Sequence, residues 1–177
     1  MNQHALRAAI HVAAVFALYL AMAMLVPGAV DLYYGHSDWK VFAFSSALLG
    51  GLALAIALAT QGRAPPVTTR FAFLLVNLLW FTLAVAGTVP LMASSFELSL
   101  TDAFFEAVSG VTTTGATVIN GLDEAPPGLL LWRSLLSFMG GLGVIVLGLF
   151  LLPFLNIGGV SYFKIESSDI EQRPFER

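Results

Sequence analysis

Apolar residues run along this chain in four long stretches, at about residues 5–26, 41–60, 71–93 and 129–152, with polar breaks between them. About 20 helical residues, rising about 1.5 Å each, cover the roughly 30 Å hydrocarbon core of a bilayer, so each stretch predicts a spanning helix. None carries a charge in its central portion. The breaks fall at Pro27-Gly28 with residues 31–38, at Gly62-Arg-Ala-Pro-Pro66, and at Asp123-Glu-Ala-Pro-Pro-Gly128, where Pro and Gly favour connections over helix. The first stretch is read as a span and not as a signal peptide, because its apolar part is long and no separate small-residue cleavage site follows it.

A fifth helical pattern does not fit this scheme. Asp102-Ala-Phe-Phe-Glu-Ala-Val-Ser-Gly110 is too short to span, and Val111-Thr-Thr-Thr-Gly-Ala-Thr117 follows it at once. Residues 102–111 would give about 15 Å of helix, which ends partway through the bilayer. Backbone without internal partners is tolerated at that depth only where protein buries it or a water-filled cavity meets it. Ser99 and Thr101 are both candidate N-caps, and Asp102 with Glu106 places acids toward the positive end of the helix dipole. Thr112, Thr113 and Thr114 are β-branched and favour extended backbone, whereas Gly115 can take a left-handed φ. A strand of neutral carbonyls suits a weakly hydrated monovalent cation, while a divalent ion would call for carboxylates that this strand lacks. From the residues alone, a glycine-containing turn between two helices stays open.

Composition narrows the class further. The chain has 177 residues, 58% of them hydrophobic and 11% charged, too apolar for a water-soluble domain of this size. Six of the eight Lys and Arg, namely Arg7, Arg63, Arg70, Lys164, Arg173 and Arg177, fall on one side if the four spans alternate, and Lys40 and Arg133 fall on the other. That bias predicts a multi-pass membrane protein with both termini cytoplasmic. Asp31, Asp38, Glu97, Asp102, Asp123 and Glu124 then gather on the external face, where they would draw cations toward the mouth. The scattered basic residues give no stripe for nucleic acid. Absent Cys rules out thiolate sites, and His4, His11 and His36 lack metal-ligand spacing. No Ser-His grouping or inward carboxylate pair supports an enzyme. Gly140, Gly141, Gly143 and Gly148 in the last span, like Gly50-Gly51 in the second, predict close helix packing, and Asn77 predicts a hydrogen bond to a neighbouring helix. Arg133 is expected as an interfacial anchor beside Trp132, with Asp123 or Glu124 as partner.

Residues Phe105-Glu-Ala-Val-Ser-Gly-Val-Thr-Thr-Thr-Gly-Ala-Thr-Val118, then Gly121-Leu-Asp, Pro126-Pro-Gly, Leu131-Trp-Arg133 and Gly140-Gly-Leu-Gly-Val-Ile145, resemble the first pore repeat of the Trk/Ktr/HKT potassium transporters, closest to the TrkH branch. The match covers roughly residues 71–162, and the two leading spans resemble the helix pair that precedes that repeat. The resemblance implies four repeats around a potassium pathway, with Thr113, Thr114, Gly115 and Ala116 supplying ion-facing carbonyls and K⁺ held at Thr113, Thr114 and Gly115. It also implies a dimer and a cytosolic nucleotide-binding regulatory ring.

The expected architecture is an all-α membrane protein of four transmembrane helices plus one re-entrant pore helix and filter strand. Residues 1–66 form the N-terminal helix pair, 67–163 a single span, pore helix, filter and span repeat, and 164–177 a cytoplasmic tail. The expected function is potassium transport with no cofactor, the ion itself being the substrate. Its partners are lipid, K⁺ and further pore repeats in the same chain or in other copies. One strand makes a quarter of each carbonyl ring, so a fragment of a four-repeat transporter is preferred over a homo-oligomer. The alternative is a non-conducting truncated or accessory membrane subunit.

Overall fold

The computed structural model describes residues 3–62 and 68–155. The expected tail, residues 164–177, lies outside the described residues. Six α-helices and one 3₁₀ turn follow in order: α1 (Gln3–Ala23), α2 (Leu25–Tyr33), α3 (Trp39–Ala59), α4 (Thr69–Met92), α5 (Leu100–Val111), the 3₁₀ turn Leu122–Glu124, and α6 (Pro127–Leu155). No strand occurs among the described residues. Four segments are long and apolar enough to cross a membrane: His4–Tyr34, Trp39–Ala59, Arg70–Met92 and Pro127–Leu149. The all-α membrane architecture is therefore as expected.

The first span corrects the sequence reading. Pro27, Gly28 and Asp31 are not in a connection but inside α2, and only residues 34–38 form the turn to α3. Proline lacks the N–H that would bond the Ala23 carbonyl, which accounts for the break between α1 and α2 at Met24. The chain nevertheless keeps its helical course: the Met24 N–H donates to Leu20 O at 3.0 Å and the Gly28 N–H to Met24 O at 3.3 Å.

Small residues let the helices approach. Ala9, Ala13, Ala17 and Ala21 of α1 are buried, as are Ala53 and Ala57 of α3, and α1 packs on both α3 and α4. Polar side chains close this pairing at two levels. Ser46 donates to Ala21 O at 2.7 Å, and Arg7 Nη2 donates to Ala59 O at the carbonyl end of α3. Such cations at a helix C-terminus complement its dipole.

A second group of side chains seats α5. Leu136 of α6 lies against Gly87 of α4 and Gly110 of α5, and a Cβ on Gly87 would come within 2.9 Å of it. Gly140 meets the Val111 backbone so closely that any Cβ there would overlap the Val111 carbonyl. Gly143 faces the Trp80 ring. Gly140, Gly141 and Gly143 thus serve packing, as expected, and so does Gly50, whose added Cβ would meet Ala21, whereas an added Cβ on Gly148 would meet nothing within 4 Å. Gly51 faces open space. Asn77 departs from expectation: its Nδ2 donates at 2.7 Å to Phe73 O of its own helix, and the residue is exposed.

Candidate functional site

Helix α5 has 12 residues, or about 18 Å, and so begins two residues earlier than the acids suggested. Of the two candidate caps, Ser99 is the one used. Its Oγ accepts from the Asp102 N–H at 3.2 Å, and its hydroxyl donates to Asp102 Oδ2 at 2.7 Å. Asp102 therefore stabilises the start of the helix, far in sequence from the carbonyls that follow its end. Ala103, Ala107 and Val111 bury one face of the helix, and Glu106 and Ser109 are buried with them.

The helix ends in a glycine-type cap built without glycine. The Thr113 N–H donates to Gly110 O at 2.8 Å and the Thr114 N–H to Ser109 O at 3.0 Å, with Thr113 at φ +56°. This paired bonding satisfies carbonyls that a helix end otherwise orphans. A β-branched residue in the left-handed region costs roughly 1–2 kcal/mol. The expectation of an extended run from Thr112 is corrected accordingly: Thr112 and Thr113 belong to the cap, and residues 114–119 carry no regular secondary structure. Thr112 Oγ1 donates back to Val108 O and shares a 2.8 Å contact with Thr114 Oγ1.

Gly115 takes φ +76°, the left-handed value its position suggested, and an added Cβ would meet nothing within 4 Å. Conformation, not space, makes this position a glycine. Residues 112–118 are all exposed in this chain. Among the described residues, no hydrogen bond is accepted by the carbonyls of Thr113, Thr114 or Gly115. Ala116 differs, because its carbonyl accepts from Ser109 Oγ at 2.6 Å. The expected set of four free carbonyls is thus three free and one drawn back toward α5.

A buried carboxylate holds the far side of the segment. Glu106 Oε1 accepts from the Thr117 hydroxyl and from the Val118 N–H, both at 2.6 Å. Its Oε2 lies 2.9 Å from Arg133 Nη2 of α6. That contact is an ion pair by distance but is not aligned as a hydrogen bond, so attraction between charges carries it rather than a directed donor. Glu106 is fully buried and Arg133 is 18% exposed, so the pair is shielded from water and strengthened by that shielding. Arg133 was expected to pair with Asp123 or Glu124, but both of those acids are exposed and Glu106 takes the arginine instead. Neither charge stands out in sequence as the other's partner, because 27 positions and the whole α5–α6 connection separate them; only the cost of an unpaired buried charge hinted at it.

The acids expected to line the mouth divide into two groups. Glu97, Asp123 and Glu124 are exposed. Asp31 and Asp38 are buried, and the backbone amides of Gly128 and Ser95 occupy them. The reading of these two as cation attractors is corrected.

Apolar spans of this length, a half-length helix between two of them, and a tethered run of exposed carbonyls make this an all-α membrane protein with a short helix set between two spans. The TrkH family model, described as cation transport protein, matches residues 44–173, and the chain belongs to that family. The Trk system potassium uptake protein TrkI of Halomonas elongata is 37% identical over 174 residues, covering 94% of this chain and 34% of the relative. TrkH of Escherichia coli K12 is 37% identical over 163 residues, covering 90% and 33%. The crystal structure of the potassium transporter TrkH from Vibrio parahaemolyticus superposes with a TM-score of 0.82 at 37% identity, over 89% of this chain and 34% of that one. The chain spans about a third of the length of these relatives.

Proposed function

We propose that this chain contributes one quarter of a potassium-selective filter, with the carbonyls of Thr113, Thr114 and Gly115 facing the ion and Ala116 completing the turn behind them. The observation that supports this most directly is the run of carbonyls without protein partners, anchored at one end by the α5 cap and at the other by Glu106. Neutral oxygens in several rings can replace the water around a weakly hydrated cation. One segment supplies a quarter of each ring, so further repeats, in the same polypeptide or in other copies, complete the site. The relatives' names as potassium uptake proteins support K⁺ as the substrate. The basic-residue bias supports an inner-membrane placement with the short α5 entering from outside. No catalytic step or cofactor enters this reading; the ion is the cargo.

Gly115→Ser tests it in cells that lack other potassium uptake and carry the repeats that complete the pore. The added Cβ disfavours φ +76° by roughly 1–2 kcal/mol, so the K⁺ over Na⁺ uptake ratio should fall about tenfold while protein abundance holds. An unchanged ratio would remove Gly115 from the filter. Expression of the chain alone separates a self-assembling pore from a segment that needs the longer context.

A further inference from the structure

Helix α2 and the turn that follows it carry one carboxylate each that is turned away from water. Asp31 of α2 is fully buried, and its Oδ1 accepts at 2.6 Å from the Gly128 N–H, 97 residues away. Its Oδ2 has no hydrogen-bond partner among the described residues, so the arrangement carries a desolvation cost that packing alone would not demand. Asp38, just before α3, is 6% exposed, and its Oδ2 accepts from the Ser95 N–H at 3.1 Å and the Ser95 hydroxyl at 2.9 Å.

The positions of these two contacts give them their meaning. Ser95 sits just after α4 and Gly128 is the second residue of α6, so the two acids grip both ends of the connection that contains α5 and the filter segment. Gly128 is required there, since a Cβ would run into the Asp31 carboxylate and the Pro27 carbonyl. From Gly128 the route to the filter is short. Trp132, one turn on, is fully buried, stands edge-on to Phe42 of α3 with centroids 6.3 Å apart, and donates its indole N–H to Gly87 O at 3.2 Å. Arg133 comes next and pairs with Glu106, which holds Thr117 and Val118.

We infer that Asp31 and Asp38 are positioning residues for the filter: the N-terminal helix pair fixes the seat of α6, and through Arg133 and Glu106 it fixes residues 117 and 118. This rests on the proposed function only in taking residues 112–118 as the filter contribution. The leading helix pair is then a brace for the conducting segment and not merely a membrane anchor.

Amide hydrogen exchange on the chain in lipid nanodiscs tests the brace without measuring ion flux. Failure of the Gly115→Ser test and failure of this one are therefore separate results. Asp31→Ala should raise exchange about tenfold at residues 128–130 and also at the Val118 amide, while the α1–α3 contact keeps its parent rates. Asp31→Asn retains an acceptor oxygen and should return the Val118 amide toward the parent rate. Faster exchange confined to residues 128–130 would overturn the inference, as would a uniform rise across all helices. If Asp31→Ala fails to accumulate, Asp38→Ala is read at residues 93–96 and at Val118, where an unchanged Val118 amide has the same overturning force.

Discussion

Two pairs of spans lie side by side in this molecule, and they differ in how they are joined. Between α2 and α3 the chain turns in residues 34–38, and Asp31 of α2 and Asp38 of the turn accept backbone amides from elsewhere in the chain. Between α4 and α6 the chain takes residues 93–126 and returns into the structure as α5 before it leaves again. The acids beside the short connection accept backbone amides, with Asp31 Oδ2 left over, whereas the long connection carries three consecutive carbonyls that accept no hydrogen bond among the described residues. In lipid, unsatisfied backbone is costly unless water or an ion meets it, and the proposed filter role rests on this difference. The supports overlap: alanine contacts together with the Ser46 and Arg7 side chains hold the first pair, and glycine contacts together with the Ser109 and Glu106 tethers hold the long connection.

The largest break in that contrast comes from closing the space that α5 needs. Gly140→Leu places a side chain where the Val111 carbonyl lies, and backbone cannot rotate away as a flexible side chain would. Overpacking commonly costs about 1–3 kcal/mol, and a backbone clash should exceed that range, so the variant should lose most folded protein in a detergent thermal-stability assay. Gly51→Leu, which meets open space in the first pair, is the matched control and should stay near the parent. Equal losses at the two glycines would mean that α5 is not seated as described.

Glu106→Ala comes next. It leaves Arg133 without its buried partner and frees Thr117 and Val118, and breaking such a pair typically costs about 3–5 kcal/mol. Melting temperature should drop, and K⁺ over Na⁺ selectivity should drop in the molecules that remain folded. Glu106→Gln keeps an acceptor at Oε1 and should spare part of the selectivity while losing the charge attraction. If Ala and Gln behave alike in selectivity, the hydrogen bonds to Thr117 and Val118 do not hold the filter.

How much of this was legible in the sequence depended on whether the determining partner was local. The four spans and the half-length α5 follow from apolar run lengths, and the left-handed Gly115 follows from its place after three β-branched residues. Pro27-Gly28 with Asp31 reads as a turn, yet the helix continues because Gly28 still bonds Met24 and because Gly128, 97 positions away, receives the Asp31 charge. Arg133 reads as an interfacial anchor until Glu106 is brought beside it. Thr112 and Thr113 read as strand by propensity, but the end of α5 needs donors for its last carbonyls, and that local demand outweighs the preference for extended backbone. Ser109 gave no signal at all, since its role depends on Ala116 folding back over the helix.

The smallest effect sharpens the comparison most finely, because it separates the cap from the carbonyls. Thr113 holds φ +56°, where its Cβ is strained, while its N–H closes the α5 cap and its carbonyl remains free. Thr113→Gly removes that strain, and glycine's extra freedom in the unfolded chain returns roughly 0.5–1 kcal/mol of the gain. The net should be a stabilisation of about 0.5–1 kcal/mol, read as a small rise in melting temperature. Selectivity separates two roles for the threonine. If it falls while stability rises, the side chain, whose Cγ2 lies 3.7 Å from where a Cβ on Gly141 would stand, stiffens the carbonyl run at the expense of the fold. If selectivity holds while stability rises, residue 113 serves the ion through its backbone alone; a fall in melting temperature would instead show that the left-handed cap does not form.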